Sequence, residues 1–513
     1  MNSPRSVFVK LNNALGSEGR TAFFGALIMG AVAHMPALVA DIPNHDGLDS
    51  IYFSQNMLTS GRWFLGPACA VSSYYSIHWL IGVLALLYIA LAAVFTVKLL
   101  NVKTPLFAGL IAGLMVTFPS LASNFAYLFT MDGYMMGLLF AVLAVYMTAK
   151  VKHGFLFGGA FLALSMGIYQ AYLPVAMLLS LYMVLMILAE KTKFIDKLKQ
   201  ALNYLYMGVF GVALYYGILK LLLAITGKEL DSYQGMNSAV EQVSIADSIK
   251  AVYKNFFSFT LNGKVIFTNA FATVAVVVIA VSLAVALIVR AVREKWLKSV
   301  WFYVIIVATC VVVPIFTNVI LLISKDVTYH MIMRYQWVLF GVLAVAFIEG
   351  SLSTVKPGTQ VMLEWCVLAA ASVCILSNVI SVNVAYSNLE KKYERTYAYC
   401  LRLADRIEQT EGYYQGIPIY MIGVVGEDNF PVVDITADVT DHMLGIDGNW
   451  LIYTPKNYEL FYKHYMGITF NFLMPDEANY YDTQEYIDMP SFPGAGSTKV
   501  VDGVLYVKTE NMH

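Results

Sequence analysis

The sequence predicts an α-helical polytopic membrane protein of about eleven spans ending in a small aqueous domain, and three observations predict it. Apolar residues make up 59% of the 513 positions and charged residues only 13%, where a soluble domain carries about 25% charge. Mean hydropathy is correspondingly high at +0.65. Charge-free runs long enough to cross a bilayer recur down the chain, and nothing in hydrocarbon replaces water as a backbone partner, so such runs must be helices. Lastly, the charges are divided. Of 33 Lys+Arg and 34 Asp+Glu, residues 384–513 hold 9 and 19, which leaves 24 and 15 for residues 1–383. A basic membrane part (1–383) and an acidic aqueous part (384–513) are two different objects, and no nucleic-acid partner is expected of either.

The runs follow in order. Thr21–Ala40 has 20 residues, too long for the apolar region of a signal peptide, about 7–15 residues, so it is the first span. Trp63–Val97, Thr104–Met131 and Gly133–Ala149 come next. Gly154–Ala189 is 36 residues long with Tyr169-Gln170-Ala171-Tyr172-Leu173-Pro174 at its centre, and reads as two helices joined by a tight turn. Gln200–Leu219, Val265–Val289, Ser299–Ser324, Tyr335–Ile348 and Trp365–Leu389 complete the set.

Every second connection is basic. Arg5, Lys10 and Arg20 precede the first span; Lys98 and Lys103, Lys150 and Lys152, Lys191 to Lys199, Arg290 to Lys298, and Lys356 mark the others. Basic loops stay cytoplasmic. The alternate loops, 41–76, 119–132, the turn near 170, 227–264 and 324–334, then face outward, and eleven spans put the C-terminal part outside as well. That part opens with a polar helix, Asn388 to Thr410. Strand-like pieces follow at Ile417–Gly423, Trp450–Tyr453 and Val500–Lys508, giving a small α/β or α+β domain. The five cysteines show no metal spacing. Cys310, Cys366 and Cys374 read as packing residues, while Cys69 and Cys400 share an aqueous side on which a disulfide is possible.

Ionisable residues in the outward loops are where chemistry is to be sought, because charge at a membrane surface marks function. The first loop holds Asp41-Ile42-Pro43-Asn44-His45-Asp46-Gly47-Leu48-Asp49 and then Gly61-Arg62-Trp63. The second holds Asp132, the only acid between Asp49 and Glu190. The third holds Lys325-Asp326, with Arg334 ahead of the next span. Each has a plain structural reading. Asp46 and Asp49 suit solvated loop positions or a helix cap; Asp132 suits a helix N-terminus; Arg334 suits an interfacial anchor. His45 has no second histidine at ligand spacing and reads as a hydrogen-bonding loop residue. Together, acids and cations on one membrane face are what group transfer from a lipid-linked phosphate needs: a carboxylate to take the proton of the attacking hydroxyl and cations to stabilise the departing phosphate. Such chemistry does not require a metal.

Asn44-His45-Asp46 with Gly61-Arg62-Trp63, then Met131-Asp132-Gly133-Tyr134, then Gly167-Ile168-Tyr169-Gln170-Ala171-Tyr172 resemble the GtrII-type serotype-converting glucosyltransferases, and the layout resembles theirs over most of the chain. The resemblance implies a GT-C-like fold with a catalytic aspartate on the first outer loop. It also implies undecaprenyl-phosphate glucose as donor and a bacterial surface polysaccharide such as the O-antigen of lipopolysaccharide as acceptor, at the inner membrane. A partner flippase and a lipid-phosphate glucosyltransferase would supply the donor. Carried over, the first-loop acid falls on Asp46, with Asp49 as substitute, and the second-loop acid on Asp132. Arg334, with Arg62 or Lys325, would bind the donor phosphate. Tyr169, Gln170, Tyr172 and His45 would contact sugar, although an interfacial aromatic belt explains the tyrosines as well. A single displacement would invert the anomeric centre. The rival readings are a lipid-linked sugar flippase or other transporter, and a binding module on a membrane anchor. A transporter places polar groups near the bilayer midplane, whereas here Lys220 and Glu349 fall near span ends; a module would need far fewer spans.

Overall fold

The computed structural model describes residues 3–49, 51, 55, 57–231, 245–323, 327–422, 437–440, 443, 445–446, 451–452, 454–473 and 483–509, and in it the charge-free runs lie mostly in helix. The chain begins with α1 (Pro4–Val39), a short α2 (His45–Asp49) and α3 (Leu65–Cys69), then α4 (His78–Leu99), α5 (Pro105–Thr117), α6 (Ser120–Ala126) and α7 (Met131–Lys150). It continues through α8 (Gly154–Ile168), α9 (Leu173–Ala189), α10 (Phe194–Thr226), α11 (Ile245–Asn262), α12 (Ala270–Arg293), α13 (Val300–Thr317) and α14 (Ile320–Ile323). Then come α15 (Val338–Ser351) and the 52-residue α16 (Pro357–Glu408).

Among the described residues nine helical segments are long and apolar enough to cross a membrane, and α5 with α6, bent by 47°, makes a tenth if the pair is one broken span. A count of eleven needs α8 too, which is apolar but 15 residues long. The protein is therefore a polytopic membrane protein. Small residues let its central helices approach closely, as intramembrane packing requires. A Cβ added to Gly159 of α8 would lie 3.2 Å from the backbone nitrogen of Gly211 in α10.

Two segments depart from the sequence reading. The run Trp63–Val97 is not one span: residues 63–77 fold as short helical pieces, and the spanning helix starts at His78. Ser73 and Tyr74 are both left-handed, at φ of 66° and 60°, a conformation that a continuing right-handed helix excludes. Second, residues 245–262 of the expected 227–264 loop form α11, whose Phe256 and Phe259 pack on Trp337 while Lys250 and Lys254 are exposed. Its charges hid it from a search for charge-free runs, although its apolar face is helical in spacing.

The basic loops are tied down by hydrogen bonds rather than left loose. Lys98 Nζ donates to the carbonyl of Ala14 at 2.6 Å, and Lys150 Nζ to Asn101 Oδ1 at 2.9 Å. The buried Glu349 of α15 accepts the amides of Lys103 and Thr104 at 2.9 and 3.2 Å, holding the start of α5. Glu349→Ala leaves those amides unmatched and is expected to destabilise the protein by about 1–3 kcal/mol. Thermal unfolding in detergent checks this, with Glu349→Gln falling between.

α16 runs through residues 383 and 384 without a break, so its polar C-terminal half, the expected Asn388–Thr410 helix, is one rigid extension of the last span. Beyond it lie β1 (Pro418–Ile422), α17 (Ala437–Thr440), α18 (Pro455–Phe461), β2 (Asn471–Phe472), α19 (Gln484–Asp488), β3 (Thr498–Val501) and β4 (Val504–Lys508). The sheet order is β2-β1-β4-β3, with β1 parallel to both neighbours and β3 antiparallel to β4. Asp502-Gly503, both at positive φ, make the tight turn of that hairpin. Ile419, Met421, Leu505 and Val507 alternate inward and share a core with Cys400, Leu403 and Ile407 of α16. Of the strand-like piece expected at Trp450–Tyr453, Leu451 and Ile452 are not in a strand, and the other two residues lie outside the described ones. Cys69 and Cys400 are both free and buried, which corrects the disulfide reading.

Candidate active site

The connection from α5 to α7, residues 118–130, gathers the loops that carry the candidate residues. Its sharp turn follows from Phe118-Pro119, since a residue before proline is driven out of the helical region; Phe118 has ψ of 130°. The first loop lies on it from one side, with the His45 ring edge-on to Tyr127 at 6.3 Å. The third loop lies on it from another: residues 331–333 pack against α6, and Tyr335 Oη donates to the Met115 carbonyl at 2.8 Å. The loops that carry Asp46 and Arg334 thus both touch the connection that leads into Asp132. Among the described residues no hydrogen bond or ion pair joins the three.

Asp132 opens α7 and is fully buried. Its Oδ1 accepts the Gly133 amide at 2.8 Å, while Oδ2 has no hydrogen-bond partner among the described residues. Cys69 and Ser72 stand beside the carboxylate, and burial together with Asp132 pushes the Cys69 thiol up, so it stays uncharged. The close fit depends on Gly133, where a Cβ would meet Cys69 Sγ at 2.7 Å.

Arg62 stands over a group of tyrosines. Its guanidinium carbon is 4.7 Å from the Tyr169 ring centre, and Nη1 donates to Tyr134 Oη at 3.1 Å. Tyr134 and Tyr169 stack at 4.6 Å, and Tyr172 meets Tyr169 edge-on at 5.7 Å. Gln170 Nε2 donates to the Ser60 carbonyl and to Tyr215 Oη at 3.2 and 3.0 Å, and Tyr215 donates on to the Gly61 carbonyl at 3.0 Å. This set, two residues along α7 from Asp132, binds the turn near 170 to the first loop. Sequence reasoning missed Tyr215, which sits within a charge-free run and carries no local signal. Tyr169 and Tyr172 are 2% and 1% exposed. They shape the surroundings of Arg62, which lies over Tyr169, while Tyr172 packs on the edge of that ring.

Gly167 completes this packing: the Phe64 amide donates to its carbonyl at 2.7 Å, and a Cβ there would fall 2.7 Å from the Trp63 ring. Gly167→Ala is expected to overpack the site and cost about 1–3 kcal/mol, with activity falling as Arg62 shifts. Unfolding and transfer assays on the same preparation check both effects.

Arg334 is 7% exposed and already engaged. Nε and Nη2 donate to the Tyr329 carbonyl at 3.0 and 2.7 Å, and Nη1 donates to Asn255 of α11 at 2.8 Å. The rings of Phe259 and Tyr329 lie 4.1 and 4.0 Å from its guanidinium carbon, which compensates part of the cost of burying the charge. Burial draws its pKa down to about 10, so it is cationic at neutral pH. It thereby locks α11 to the third loop, and two of its five N–H groups have no hydrogen-bond partner among the described residues. Lys325, its expected companion, lies outside the described residues.

Asp46 and Asp49 lie on α2, both exposed. His45 Nε2 is 3.5 Å from Asp46 Oδ1, and the His45 carbonyl accepts Asn457 Nδ2 of the C-terminal region at 3.2 Å. No cluster of metal-binding side chains is present among the described residues.

Helices long and apolar enough to cross a bilayer thus carry a buried acid, an accessible acid and two arginines in or beside the connections between them. The family described as Glucosyl transferase GtrII matches residues 35–348, more than half of the chain, and the chain belongs to that family. It is a glycosyltransferase. All the candidate residues lie inside the matched region. No curated protein and no solved structure matches the chain.

Proposed function

We propose that the protein is an inverting GT-C-type transferase that moves glucose from undecaprenyl-phosphate glucose to a hydroxyl of a bacterial surface polysaccharide such as O-antigen, converting serotype. The face bearing the C-terminal region is extracytoplasmic in this reading, and the inner membrane holds residues 1–383 as the catalytic part. The observation that carries it is the match of residues 35–348 to a glucosyltransferase family, a segment in which Arg62 is set on the Tyr134–Tyr169 stack.

The acceptor hydroxyl attacks the anomeric carbon of glucose as the bond from that carbon to the phosphate oxygen breaks. Asp46, the accessible carboxylate, takes the hydroxyl proton; Asp49 is its alternate one turn along α2. Asp132, buried at the start of α7 beside Cys69 and Ser72, helps to position the first loop that carries the base. The polyprenyl phosphate leaves with its electron pair on oxygen, and Arg62 stabilises that charge. Arg334 and Lys325 add positive potential. Gln170 and His45 bound the sugar. A partner flippase and a lipid-phosphate glucosyltransferase supply the donor. The transporter reading is supported less, because the candidate charges lie in or beside the connections between helices and not at a midplane site. Polysaccharide from cells with and without this protein tests the proposal: an added hexose branch that depends on the protein is the expected result, and identical glycans would sink it.

A further inference from the structure

Between the first loop and the C-terminal region lies a cleft of about 80 Å³ lined by Asp41, Asn44, Ser76, Phe129 and Tyr465. At about 10–15 Å³ for each water it has room for about six, roughly a sugar ring. Its polar groups are of mixed kind. Asn44 is 2% exposed; its Oδ1 accepts the Gly47 amide at 2.7 Å, while Nδ2 has no hydrogen-bond partner among the described residues. Asn44 Nδ2 lies toward Gly445, where a Cβ would stand 3.6 Å from it, so this side chain sets the cleft floor against the C-terminal region. Opposite stands Asp41, whose Oδ1 accepts Tyr465 Oη at 3.3 Å and lies 4.0 Å from His78 Nδ1.

The wall behind is aromatic. Tyr465 stacks on Phe461 at 5.4 Å and meets Tyr393 edge-on at 6.0 Å, and Tyr397, 37% exposed, extends the surface along α16. The Asp41 carboxylate, the Ser76 and Tyr465 hydroxyls and the ring faces together suit a neutral polyol: hydroxyls need both donors and acceptors, and pyranose C–H faces rest on aromatic rings. The exposed carboxylates of Asp41 and Asp46 repel a phosphate, so the lipid-linked donor is the wrong guest. Asp46 lies between Asn44 and Gly47 in sequence, which puts this cleft next to the proposed base.

We propose that the cleft lined by Asp41, Asn44 and Tyr465 binds a neutral saccharide unit of the polysaccharide acceptor, an inference that rests on the transferase reading above for the word acceptor. The C-terminal region then has a role: Tyr465, backed by Phe461 of α18 and Tyr393 of α16, closes one side of the acceptor site.

The test uses the full-length protein in detergent and, as probe, deacylated surface polysaccharide from cells lacking this protein. Wild type should bind it saturably, and Tyr465→Ala and Asp41→Asn should each weaken binding by about tenfold, with KM for acceptor raised and donor KM and kcat unchanged. Equal affinity in folded variants, or no saturable binding by wild type, overturns the proposal. Asp41→Asn alters an exposed side chain and keeps the reading available should Tyr465→Ala fold poorly. If wild type binds the polysaccharide but transfers no sugar, the transferase reading fails and the saccharide site stands. If it transfers sugar and the variants keep the acceptor KM, the site alone fails.

Discussion

Asp46→Asn is expected to lower the rate of sugar transfer by about 10²–10⁴-fold, the span attributed to a positioned general base, without lowering membrane insertion or thermal stability. Asparagine keeps the shape of the side chain and cannot take a proton. The position is exposed and makes no hydrogen bond among the described residues beyond its contact with His45 at 3.5 Å, so the folded structure loses little. Asp46→Glu should retain part of the activity, and Asp49→Asn should be close to wild type. Single-turnover transfer at saturating donor and acceptor is the measurement. Normal turnover by a properly inserted Asp46→Asn protein removes the assignment, and loss confined to Asp132→Asn would move the base to the buried acid.

The second large effect concerns Arg62. Arg62→Ala should cost about 10²–10³-fold in kcat, as removal of one stabiliser of transition-state charge does. Lysine should not restore it, because an ammonium lacks the planar fork that meets Tyr134 and a phosphate at once. Arg62→Ala also uncovers Tyr169, so stability must be measured alongside. A non-hydrolysable polyprenyl phosphonate sugar separates the two causes. If Arg62 works on the phosphate, the variant binds that analogue more weakly while keeping its affinity for polysaccharide. Equal affinity for the analogue would reduce Arg62 to a packing residue.

The spans were legible because hydrocarbon leaves a chain no choice but internally hydrogen-bonded helix, so a charge-free run of sufficient length reports one. What interrupts or decorates such runs was not. The left-handed pair Ser73 and Tyr74 ends helix formation through backbone conformation, and neither serine nor tyrosine signals that. Helix α11 was hidden by Lys250 and Lys254, the residues that make it amphipathic. In the site, Asp132 and Arg62 stood out as rare charges in apolar surroundings, whereas Tyr215 and Tyr335 act through single hydroxyls on distant carbonyls. That pairing belongs to the tertiary fold and leaves no trace in spacing. Arg334 was visible as a charge, but its partners Tyr329, Asn255 and Phe259 come from two segments that no pattern connects.

One assay reaches the central claim: purified full-length protein in detergent, given undecaprenyl-phosphate [14C]glucose and polysaccharide from cells lacking the protein. The account predicts that label passes to the polysaccharide with no sealed compartment present, with the new linkage of opposite anomeric configuration to the donor. Label that stays on the lipid in detergent, and moves only across intact vesicles, would contradict it and mark the protein as a carrier.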